Sequence, residues 1–210
     1  MMFRRTDATE ELWQWFSANR HRFEIEEPEL EAYRELTLML KSIDKGLSYE
    51  IAKGTLWELA VSADGSPELI PMVERVVSCA PKLDRWHIVA FRQPSAEPLT
   101  IAVYETELTA ENVYFGIERT EKGVVDVVLY LPGIADESFR HLAHCAMLLM
   151  ESLIGELDVM TRIGEIEYES ADNLPEGALP LTELPRVVAE LRFGDRIPTT
   201  NSLPGNAPSV

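Results

Sequence analysis

LSYEIAKGTLWELAVSADG, residues 47–65, is where the chain changes period. Leu47, Tyr49 and Ile51 alternate with Ser48, Glu50 and Ala52. Lys53-Gly54 turns the chain, and residues 56–63 return with Trp57, Leu59 and Val61 on one face. A period of two marks a half-buried strand, and two such runs about a short turn make a hairpin. Asp64-Gly65 ends it. The fold class follows from what lies on either side.

Upstream the period is helical. Asp7-Ala8-Thr9-Glu10 reads as a capping box, with Asp7 accepting from backbone N–H groups and Glu10 reaching back. The helix that follows carries Leu12, Trp13 and Phe16 on one face, with Trp15 off it. The link FEIEEPELE leads to a second helix, whose first turn suits Pro28. Its stripe is Leu30, Tyr33, Leu36, Thr37, Leu40 and Ile43. Lys41 and Lys45 favour its C-terminal end, and Gly46 stops it.

Downstream, a short helix starts near Pro71 with Val73, Val76 and Val77 inward, and Ala80-Pro81 closes it. Residues 86–91 are almost wholly apolar, which predicts an interior strand covered on both faces. Residues 99–105, 113–119 and 124–131 are the next strands, the last two joined at Glu121-Lys122-Gly123. Pro132-Gly133 breaks the sheet. Asp136 caps a long helix that Gly155 ends. Residues 157–169 read as one bent strand or two short ones, and 174–180 as loop. Thr182 caps a last helix carrying Leu184, Val187, Val188 and Leu191.

Strands come in runs and do not alternate with helices. That order predicts an α+β fold, a mostly antiparallel sheet with helices packed on it. Two helices lie at the N-terminus and a long one in the C-terminal half. No linker forces a split, so residues 1–192 are expected to form a single domain. Residues 193–210, rich in Pro, Gly, Ser, Thr and Asn, read as a flexible C-terminal tail.

Composition narrows the partners. Nineteen Lys and Arg against 36 Asp and Glu leave a net charge of −17. Nucleic-acid binders neutralise phosphates with clustered cations, and no such cluster appears. An anionic membrane surface would repel the chain. No run reaches the ~20 apolar residues of a membrane span, and no secretory signal is readable behind the first residues. Two cysteines, Cys79 and Cys145, are most simply reduced thiols in the cytoplasm.

Chemistry, if present, should show in FRHLAHCAMLLMESLIGE, residues 139–156. At ~100° per residue, Phe139, Leu142, Ala143, Ala146, Met147, Met150, Leu153 and Ile154 gather on one face, the expected core side. His141, His144, Cys145, Leu148, Glu151 and Ser152 gather opposite. His141 and His144 are spaced i, i+3, and His141 and Cys145 i, i+4, so each pair could converge on one ion. Zinc needs three protein ligands and water, or four, and no CxxC or HExxH pattern supplies the rest. A wet polar face, or a contact patch centred on Leu148, is the plainer reading.

Glu165, Glu167 and Glu169 alternate with Ile166 and Tyr168. They suit a solvated strand face or an acidic docking strip. Neighbours on one face sit ~6.5–7 Å apart, too far for a compact Ca²⁺ or Mg²⁺ shell. His87 lies in an apolar strand with Arg92 at its end, and Asp126 interrupts a run of valines. No phosphate-loop, dinucleotide or nucleophile-elbow pattern occurs.

Ala63-Asp64-Gly65, Ala80-Pro81, Trp86, Ala90-Phe91-Arg92 and the helix ending Leu153-Ile154-Gly155-Glu156 resemble a pattern in bacterial proteins of the domain-of-unknown-function kind. The likeness covers roughly residues 45–170. It implies a bacterial cytoplasmic protein and brings no activity, cofactor or catalytic residue with it.

The expectation is an acidic protein acting by contact: an adaptor, an inhibitor of a basic protein, or a chaperone-like partner. No cofactor or metal is expected. One alternative is a hydrolytic enzyme using His87, Arg92, His141, His144 or Cys145. Another is a homodimer without ligand.

Overall fold

The computed structural model describes residues 7–25, 29–95, 97, 99–121, 123–135 and 137–192, without the side chains of 119–121 and 192. Pro28, Lys122, the Asp136 cap and the tail 193–210 therefore lie outside the described residues. The fold is α+β, with mixed and antiparallel sheets. Its contacts gather in two compact units, residues 1–92 and 93–210.

The first unit opens on α1 (Ala8–Asn19), where the Asp7 carboxylate accepts the Thr9 N–H at 3.0 Å. Glu10 accepts from Gln14 Nε2 at 3.1 Å, one turn further along the helix. Leu12, Trp13 and Phe16 are buried, as the spacing predicts. In α2 (Leu30–Ile43) the predicted stripe needs correcting. Ala32, Leu36 and Leu40 are buried at i, i+4, i+8, while Leu30 is 82% exposed.

The hairpin forms as read: β1 (Ser48–Lys53) pairs antiparallel with β2 (Trp57–Ser62). A 3₁₀ turn, Pro67–Leu69, runs into α3 (Ile70–Ser78), which accommodates Pro71 in its first turn and buries Val73 and Val76. Strand β3 (Trp86–Ala90) then pairs parallel with β2, giving the order β1-β2-β3. The expected interior strand is thus an end strand. Trp86 is buried, His87 exposed, and Ile88 to Ala90 half-buried. The central strand is β2, and it buries nearly every residue. The core is aromatic: Trp57 stacks on Trp86 at 5.7 Å, and Phe16 meets Trp86 edge-on at 4.9 Å. The Trp13 indole donates to the Val76 carbonyl at 2.9 Å, tying α1 to α3.

In the second unit, β4 (Thr100–Val103) and β5 (Thr106–Thr109) form a hairpin about Tyr104-Glu105. The sequence reading merged the turn into one strand and missed β5. Strands β6 (Tyr114–Glu121) and β7 (Val124–Leu131) pair antiparallel. The long helix α4 (Phe139–Ile154) follows, and Gly155 at φ 83° ends it, a backbone state that suits glycine.

Residues 156–162 are the clearest correction. They form α5 (Glu156–Arg162), and only then comes β8 (Ile163–Ser170), parallel to β7. The alternation around Leu157 also fits a helix, in which Glu156 and Val159 share the inner side. Residues 179–180, read as loop, add a short β9 (Leu179–Pro180) to β6, so the sheet runs β8-β7-β6-β9. A 3₁₀ turn, Leu181–Glu183, leads to α6 (Leu184–Arg192). Phe115, Leu129, Leu142, Ala146, Met150, Leu184 and Val187 are among the buried residues of this core.

Candidate functional site

The polar face expected on α4 does not assemble. Leu142, Cys145, Ala146, Leu149, Met150 and Ile154 are buried at i, i+3, i+4, i+7, i+8 and i+12, one continuous stripe. The helix is turned so that Cys145 and Leu149 point inward, while Phe139 is exposed and Ala143, Met147 and Leu153 are half-buried. A thiol packs as a small apolar group, so the stripe needs no polar interruption there. Burial pushes the Cys145 thiol up from its ordinary value, which makes it a poor nucleophile. Glu151 is also buried, Leu148 half-buried, and His141 and His144 exposed.

His141, His87 and Arg92 each have a separate local partner. His141 Nδ1 lies 3.3 Å from the Tyr104 hydroxyl at the β4–β5 turn. His87 Nδ1 lies 3.2 Å from Glu58 across the β2–β3 pair, with most of its ring in water. The Arg92 guanidinium is 3.2 Å from Asp64 and 3.6 Å from Glu50. Among the described residues, no three His, Cys, Asp or Glu side chains are placed to hold a metal ion. None of the described helices is long and apolar enough to cross a membrane.

The acidic strip has the geometry its alternation predicts. Glu165, Glu167 and Glu169 are exposed, and Ile166 and Tyr168 are half-buried, on a strand at the end of its sheet. Asp126 anchors the start of that strand: its Oδ1 accepts the Glu165 N–H at 2.9 Å. This bond sits at the register shift between Val125 and Val127. A Cβ on Gly164 would come within 2.1 Å of the same oxygen, so the close approach depends on glycine. Glu169 accepts from Asn173 Nδ2 at 3.2 Å, and Glu165 and Glu167 face solvent.

Sequence reasoning missed a groove in the first unit. It has a volume of about 820 Å³ and runs between α1 and the segment after α3. Trp13, Ala18, Cys79 and Pro81 supply its apolar wall, and Asp7 and Glu10 its acidic rim. The Thr9 backbone N–H, and then the Arg75 guanidinium at 2.9 Å, hold the Asp7 carboxyl below its ordinary value. Thr9, Glu10, Trp13, Gln14, Ser17 and Ala18 of α1 line it, a pair from each successive turn, with Asp7 at the helix N-cap. That periodicity was the available signal, although the opposite wall comes from a distant part of the chain. Comparison with protein-family models, curated proteins and solved structures finds no match for this chain.

Proposed function

We propose that this protein is an interaction module, an adaptor, inhibitor or chaperone-like partner, that takes a basic protein along β8. The observation that supports it is the exposure of Glu165, Glu167 and Glu169 on a strand at the sheet's end. An end strand has backbone donors and acceptors open to an added strand. Carboxylates ~6.5–7 Å apart match an extended segment with Lys or Arg at alternate positions. The net charge of −17 would speed the encounter with such a partner. On this reading the chain works in the cytoplasm with both thiols reduced. The hydrolytic alternative, with His87, Arg92, His141, His144 or Cys145, has less behind it: His87, Arg92 and His141 each have a different partner, His144 is exposed and Cys145 is buried.

The test is a titration of isotope-labelled protein with a six-residue peptide of alternating Lys and Val, followed by NMR. Amide shifts should centre on residues 163–170, and affinity should fall steeply by ~0.5 M salt, where surface charges are screened. The triple change Glu165→Lys, Glu167→Lys and Glu169→Lys should abolish binding. Charged edge strands also guard against self-association. If the triple variant binds the peptide as well as the native chain, guarding is all the strip does and the proposal fails.

A further inference from the structure

The groove beside α1 plays no part in the β8 reading and stands apart from it. We infer that it binds a small amphiphilic cation: an amine carried on an aromatic or aliphatic body. Its volume of about 820 Å³ lies within the range of small-ligand sites, which runs from ~300 to ~1,000 Å³. From Asp7 to Ala18 it follows α1 for about 16 Å, at ~1.5 Å per residue. Such a site needs an apolar lining and a few polar groups to fix orientation. Trp13, Ala18, Cys79 and Pro81 provide the first.

The rim decides the sign of the ligand's charge. Asp7 is answered by Arg75 at 2.9 Å. Glu10 is exposed, accepts from the neutral Gln14 amide, and has no ion pair among the described residues. Among the described residues that line the groove, the charge left uncompensated is therefore the negative one of Glu10, in a chain of net charge −17. An anion is repelled by both. A neutral apolar molecule gains the wall alone, and an amine gains wall and rim together.

The test compares three probes with one apolar body: 2-phenylethylamine, 2-phenylethanol and phenylacetate. Each is titrated into isotope-labelled full-length protein at low salt, with NMR shifts read on α1 and residues 79–81. The amine should bind about two- to fivefold more tightly than the alcohol, the gain expected of an exposed charge pair, and phenylacetate most weakly. Glu10→Gln should bring the amine down to the alcohol. Ala18→Trp, or Gln14→Trp should that chain misfold, fills the groove and should remove amine binding. Equal affinity for amine and alcohol overturns the inference. So does amine binding that survives a folded, groove-filled variant, or no saturation by about 10 mM.

Discussion

Phe16 shows how much of the first unit rests on single side chains. It is fully buried and meets Trp86 edge-on at 4.9 Å. Removing a buried aromatic ring costs ~3–5 kcal/mol. Phe16→Ala should therefore lower the urea midpoint of the first unit sharply. Tryptophan fluorescence is the right reading, because Trp13, Trp15, Trp57 and Trp86 all fall within residues 1–92. The two thiols should part company in the same way. Cys79 is exposed and Cys145 buried, so iodoacetamide should label Cys79 in the folded chain and Cys145 only on unfolding, as mass spectrometry would show. The raised Cys145 thiol means the folded state keeps its proton to higher pH than the unfolded state. Stability should fall as pH rises beyond the ordinary thiol value, and Cys145→Ala should flatten that fall. Leu12, Trp13 and Phe16 were legible because their spacing puts them on one side of any helix. Cys145 was misplaced because a thiol was counted with the polar residues, while its burial depends on which neighbours pack against α4.

At the scale of elements, β8 depends on one close approach. Gly164 leaves room for the Asp126 carboxylate, which accepts the Glu165 N–H at 2.9 Å. Gly164→Ala forces an extra methyl into that contact, and overpacking of this kind costs ~1–3 kcal/mol. The second unit should unfold at lower urea, with Cys145 alkylation as the reporter, since no tryptophan lies there. The glutamate alternation of β8 was readable because one face of an end strand stays in water. Residues 156–162 were not, because Glu156 is wholly buried in a helix and a glutamate ordinarily signals an outward position. Residues 86–91 misled in the opposite sense: a run of apolar side chains suits an interior strand, yet among the described residues β3 pairs on one side only. Which strand takes the centre of a sheet is decided by pairing across the chain, which local pattern does not encode.

For the whole molecule, charge is the dominant sequence-readable quantity. The chain carries −17 near neutral pH, and its isoelectric point is about 4.6. Solubility should pass through a minimum near that pH, where self-repulsion vanishes, and turbidity across pH 4–8 measures it. The α+β class was likewise readable, because a run of alternating segments excludes a repeating strand–helix order. The groove was not, because α1 and the segment after α3 meet only in the folded chain. The order of pairing in the second unit has one more consequence, for synthesis. Strand β6 gains its outer neighbour, Leu179–Pro180, from near the end of the described chain. A nascent polypeptide that has emerged only as far as Ser170 holds β6, β7 and β8 but leaves Tyr114 and Phe115 with a bare backbone edge. Until Leu179 and Pro180 leave the ribosome, that edge is the place where a chaperone, or another unfinished copy, would find a strand to pair with.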